Sequence, residues 1–141
     1  RAGFLARMQH HGLRVRLARI VETEFSEAGG FEATQRLLAM REPPTAIVAA
    51  SLASAVGAIS AVTTAGLRVP ADVSLVGFHD APIGAYLIPP LTTVRMPLAE
   101  MAEAAVDTQI RLIVGKAGED IVVRSPSPVL VERSSTAPPS A

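Results

Sequence analysis

Cysteine does not occur among the 141 residues, which excludes disulfide bonds and thiolate chemistry. Charge is also sparse, at 18% of residues against a usual share of roughly 25%, so parts of the surface must be apolar and suited to meeting another surface. The thirteen Lys and Arg balance the thirteen Asp and Glu, so no net positive field exists to attract nucleic acid or an anionic membrane. Neither G-x-G-x-x-G nor G-x-x-x-x-G-K-[ST] occurs, which removes the usual phosphate-cradling loops of nucleotide enzymes. There is no internal repeat, no basic-then-apolar leader, and no initiating Met before Arg1, so the chain reads as a piece of something longer. Residues 45–67 carry no charge and match a membrane span in length, but Ala, Ser, Thr and Gly dominate them, and that composition is too weakly apolar for one.

What is present is a 49% hydrophobic chain with the size of one domain. Residues 3–9 have helical spacing, with Phe4, Leu5 and Met8 on one face and Gly12 placed to end the helix. His10 and His11 follow; adjacent histidines point apart on a helix and have no third ligand near, so they make no metal site. Residues 17–21 read as a strand. Ser26 suits an N-cap for a helix running to about Arg41, where Pro43 and Pro44 stop it. Residues 45–50 form an apolar run typical of a strand buried on both faces, and a helix follows from Leu52 to about Ala65. That helix carries no charge on any side, so its outer face is expected to be covered by a second subunit.

The chain is organised around residues 69–97. Val73, Leu75 and Val76 form a strand too short to be a helix, ending near Phe78 and delivering His79 and Asp80 into a loop. Pro89 and Pro90 forbid helix, residues 91–94 are extended, and Pro97 is placed to begin a helix that Gly115 and Gly118 close. Residues 121–123 and 129–131 read as short strands, and a Pro/Ser/Ala tail from Ser134 is expected to be mobile. Alternating strands and helices predict an α/β, doubly wound fold with a parallel sheet. Parallel strands present their carboxyl ends on one edge, so Phe25, Ser51, His79 and Asp80 should converge there as a site for a small polar ligand. The alternative for each is structural: Phe25 in the core, Ser51 as a helix cap, His79 and Asp80 as a turn. A hydrolase is not indicated, since Ser51 has no G-x-S-x-G elbow and adjacent His79 and Asp80 can hardly orient one ring between them. No catalytic residue, metal or cofactor is therefore expected.

V-P-A-D-V-S-L-V-G-F at 69–78, followed by P-P-L-T-T-V at 89–94, resembles the most recognisable passage of the LacI/GalR family of transcriptional regulators. A-G-F at 2–4, P-T-A-I-V-A at 44–49, A-V-G-A at 55–58 and L-V-E-R-S-S-T at 130–136 extend the likeness in order along nearly the whole chain. The resemblance implies a type I periplasmic-binding-protein-like fold of two lobes with ligand between them, this chain being mostly the C-terminal lobe of an N-terminally truncated protein. Residues 1–94 would belong to that lobe, 95–118 to a helix of the N-terminal lobe, 119–133 to the return strands and 134–141 to the tail. It also implies a cytoplasmic, non-enzymatic repressor that binds a small-molecule effector, forms a homodimer through Leu52 to Ala65, and reaches operator DNA only through a helix-turn-helix that has no counterpart here. Ser51 would stand where the family has an effector-binding Asn, Leu52 where it has an Asp, and His79 where it has an effector-binding Asp, while an aromatic is retained at Phe25. A solute-binding protein of a transport system, or a flavodoxin-like enzyme, are the competing readings.

Overall fold

The computed structural model describes residues 1–115 and 120–139. In chain order it contains helix α1 (Ala2–His10), a single 3-10 turn (Leu17–Arg19), helix α2 (Glu27–Leu38), strand β1 (Ala46–Val48), helix α3 (Leu52–Thr64), strand β2 (Ser74–Phe78), a second 3-10 turn (Pro82–Ala85), strand β3 (Thr92–Arg95), helix α4 (Leu98–Ile113) and strand β4 (Val129–Val131). The four strands form one sheet in the order β1-β2-β3-β4. β1 pairs parallel with β2, and β2 pairs parallel with β3. β4 returns antiparallel to β3. The expected α/β class with a mostly parallel sheet is what the chain adopts.

The core lies where α3 meets the sheet. Leu75, Leu91, Val62 and Ala55 are fully enclosed there, joined by Ile47, Val73, Ala58 and Leu37. α3 packs against both α2 and β2. Its contact with α2 is close because Gly57 and Gly30 meet the other helix without side chains: a Cβ on Gly57 would strike the Glu27 carbonyl, and one on Gly30 would strike the Ser54 carbonyl. Part of the uncharged helix is thus covered by α2 within the chain. The small residues Ala58 and Ala61 are buried within the chain itself, and α3 exposes only a hydroxyl-rich strip of Ser60, Thr63 and Thr64. Gly66 then ends it at φ 74°, a left-handed position that suits glycine.

Four expectations are corrected. Residues 17–21 form no strand; the Ile20 N–H bonds back to the Leu17 carbonyl, and Arg19 reaches out to the Glu42 carbonyl, so the backbone turns instead of pairing with β1. Residues 121–123 have no strand partner among the described residues and leave Ile121 and Val122 exposed. β1 is buried on one face only, with Ile47 enclosed and Val48 half open to solvent. The tail is tied down between Ser134 and Ala137 rather than mobile. The Ser134 N–H donates to the Pro90 carbonyl, and Ala137 exchanges bonds with the Ser74 hydroxyl. Ser135 is fully buried: its hydroxyl accepts from the Thr92 N–H at 2.8 Å and donates to the Leu75 carbonyl at 2.6 Å, bridging β2 and β3. Gly118, expected to help close the last helix, lies outside the described residues.

Candidate functional site

Because β1 and β2 run parallel, the segments that follow them share one edge of the sheet. Ser51 lies just beyond β1, and His79 and Asp80 just beyond β2, as expected from the strand order. Phe25 immediately precedes Ser26, the N-cap of α2, and the residue is 73% exposed, so it is not a core residue. Ser51 is buried and caps α3, its hydroxyl accepting from the Ser54 N–H at 3.0 Å and donating to the Ser54 hydroxyl at 2.9 Å. Its one O–H donor is thereby spent inside the protein. The helix-cap reading of Ser51 is therefore correct.

His79 is exposed and takes φ 70°, making it the one non-glycine residue with positive φ among those described. Side chains other than glycine visit this region at a cost, and persist there only where neighbouring bonds hold the backbone. Those bonds are present. The His79 N–H donates to the Val94 carbonyl at 3.0 Å, fixing the loop to β3. The next residue, Asp80, is fastened even more firmly.

The Asp80 side chain is only 5% exposed and accepts four hydrogen bonds. Its Oδ1 receives Thr93 Oγ1 at 2.8 Å and Arg133 Nη2 at 2.7 Å. Its Oδ2 receives Arg95 Nε at 2.9 Å and Arg95 Nη2 at 2.6 Å. Burial pushes this carboxyl group up, but the bonds from Thr93, Arg95 and Arg133 and the charge of Arg133 outweigh it and hold the group down at about 2. A carboxylate offers about four lone-pair positions, and all are taken. Arg133 is itself braced, with Nη1 donating to the Leu91 carbonyl at 2.7 Å and to Thr93 Oγ1 at 3.1 Å.

The structure thus separates the four candidates. Phe25 and His79 face solvent, Ser51 is committed to capping, and Asp80 is committed to two arginines. No hydrogen bond among the described residues links Ser51 to His79 or Asp80, so no triad forms. No group of three His, Asp or Glu residues that could hold a metal occurs among the described residues. Arg95 and Arg133 are the parts of the site that sequence reasoning missed. The available signal was Asp80 itself, since a carboxylate delivered to a strand end and buried must find cations.

A mostly parallel sheet with helices between its strands in chain order and polar residues at its carboxyl edge defines the fold class as α/β. Residues 1–136 match the periplasmic binding protein-like domain, and the chain belongs to that family. It is 35% identical over 136 residues to the HTH-type transcriptional repressor PurR of Erwinia tasmaniensis, covering 96% of this chain and 40% of that protein. A LacI family transcriptional regulator from Mycobacterium smegmatis superimposes with a TM-score of 0.93 at 38% identity, over 99% of this chain and 52% of the other. The lac repressor dimer bound to operator and the anti-inducer ONPF superimposes with a TM-score of 0.78 at 32% identity, over 96% of this chain and 46% of the repressor. The chain therefore spans about half the length of the regulators it matches.

Proposed function

We propose that this chain is the effector-sensing and dimerisation portion of a cytoplasmic LacI-type repressor, acting without catalysis by converting the binding of a small molecule into a changed affinity for operator DNA. The observation that carries this reading is the superposition of nearly the whole chain on half of a LacI family regulator. Residues 1–94 and 119–133 then form one lobe and residues 95–118 cross into the other, with ligand held between the two. The exposure of α4 supports the division: it buries no residue, and Leu98, Val106 and Ile110 all stand open as a face awaiting cover. Operator contact belongs to a helix-turn-helix outside this chain.

The homodimer forms along the outer strip of α3, within Leu52 to Ala65, together with the neighbouring turn that exposes Ile83, Tyr86 and Ile88. Ile88 is 90% exposed, an apolar surface of the kind two-fold pairing hides. The turn lies beside the start of α3, where a Cβ on Gly84 would touch Leu52.

His79 and Phe25 are the ligand-facing residues of this lobe, with Ser51 and Asp80 shaping the edge beneath them. An imidazole N–H can donate a hydrogen bond that the family's carboxylate cannot, so an anionic or acceptor-rich effector is favoured over a neutral sugar. Titration of the intact protein with carboxylates, phosphates and sugars tests this. Binding of an anion that is lost in His79→Ala is expected. Tight sugar binding that His79→Ala leaves unchanged would refute the assignment.

A further inference from the structure

The ion pair between Arg95 and Asp80 joins two segments whose roles differ. Asp80 belongs to the loop that presents His79 at the sheet edge, whereas Arg95 is the final residue of β3, two positions before Pro97 and the start of α4. Arg95 grips a single carboxylate oxygen through Nε and Nη2 at 2.9 and 2.6 Å, yet its own side chain remains 60% exposed. Arg133, by contrast, is largely enclosed and is bonded also to the Leu91 carbonyl and to Thr93, so it fixes Asp80 to the body of the sheet. Arg133 alone would satisfy the need for a counter-charge. Arg95 adds a strap from the His79 loop to the chain entering α4.

We infer that Arg95 is a positioning residue that couples the conformation of the His79 loop to that of the β3–α4 crossing. The inference deepens the effector-sensing reading, in which β3 to α4 is a passage between lobes, and it rests on that reading for its significance. Two backbone bonds report on the coupled segments: the His79 N–H on the Val94 carbonyl at one end, and the Leu98 N–H on the Met96 carbonyl at the other. An element that strains His79 to φ 70° and an element that begins a helix are thereby held by one guanidinium. A ligand that moves the loop must also move, or release, the crossing; and by reciprocity a change at the crossing alters the loop.

Amide hydrogen exchange on the intact protein without ligand tests the coupling. In Arg95→Gln, exchange at His79 and Leu98 should quicken together by about five- to tenfold, the effect of losing a charged hydrogen-bonded contact on local opening. Arg95→Lys, which keeps the charge and one donor, should recover part of the protection at both amides. Arg68→Gln, which breaks the remote Arg68–Asp72 pair, should leave both unchanged. Acceleration at only one of the two amides, or at neither, would overturn the inference. The readout uses no ligand, so such a result would leave effector binding to be judged separately by the effector titrations with His79→Ala.

Discussion

At the scale of single residues, Asp80 holds more of the site together than the other three groups expected to touch ligand. Replacing it with Ala leaves Arg133 enclosed without its partner, and the expected loss is about 2–4 kcal/mol of stability in urea unfolding, because an unpaired buried charge costs more than a lost surface pair. Its acid dependence has a definite sign. The folded carboxyl group titrates at about 2, below the roughly 3.9 of an unfolded aspartate, so its contribution is complete above pH 4 and disappears as pH falls from about 4 to about 2. Melting temperatures measured across that window should fall more steeply for the parent than for Asp80→Asn. Equal slopes would show that the carboxylate gains nothing from its arginines.

At the scale of elements, the α2–α3 crossing sets the tolerance of the fold. Gly57→Ala forces a methyl group onto the Glu27 backbone, and backbone cannot rotate away as a side chain can. A loss of about 2–3 kcal/mol or more is expected, in the upper part of the range for overpacked cores. Ala58→Asp should unfold the chain outright rather than split a dimer, since Ala58 is 1% exposed within one protomer; a folded, monomeric variant by circular dichroism and sedimentation would contradict this. Much of this scale was legible from sequence. The helix ends at Pro97 and Gly115 and the caps at Ser26 and Ser51 follow from local chemistry that no tertiary contact overrides. What could not be read was which face each element would bury. The uncharged Leu52 to Ala65 pattern does not say which part of the helix α2 covers and which part is left outward, and only the Gly30–Gly57 approach identifies the face that α2 takes. Residues 17–21 fail as a strand for a related reason: a run of suitable residues needs a strand partner, and these close a 3-10 turn instead. Ser51, His79 and Asp80 follow β1 and β2 as the strand order predicts, whereas the strand expected to lead into Phe25 does not form, and Arg95 and Arg133 were invisible because their pairing with Asp80 spans 15 and 53 residues.

At the scale of the whole molecule, charge balance and open apolar faces make opposite demands. With no net charge and no helix-turn-helix pattern, the 141-residue chain should not retard a DNA duplex sequence-selectively at physiological salt, because the phosphate-neutralising contribution is weak. Gel retardation with the chain alone checks this. The exposed stripe of α4 and the turn around Ile88 should make the isolated chain self-associate, visible as a concentration-dependent sedimentation coefficient, and Ile88→Lys should reduce that association without lowering the melting temperature.

Ser135 gives the molecule an order in time as well as in space. The hydroxyl that bridges Leu75 and Thr92 belongs to a residue made 60 positions after Leu75, so a chain emerging from the ribosome passes through a long interval in which β2 and β3 exist without the bond that joins their amino ends. Closing so long a loop is an entropic cost met only once those later residues are available, which makes completion of the sheet centre a late event of synthesis. The α2–α3 crossing, built from residues 27–64, has by then all of its residues available and can bury apolar surface first.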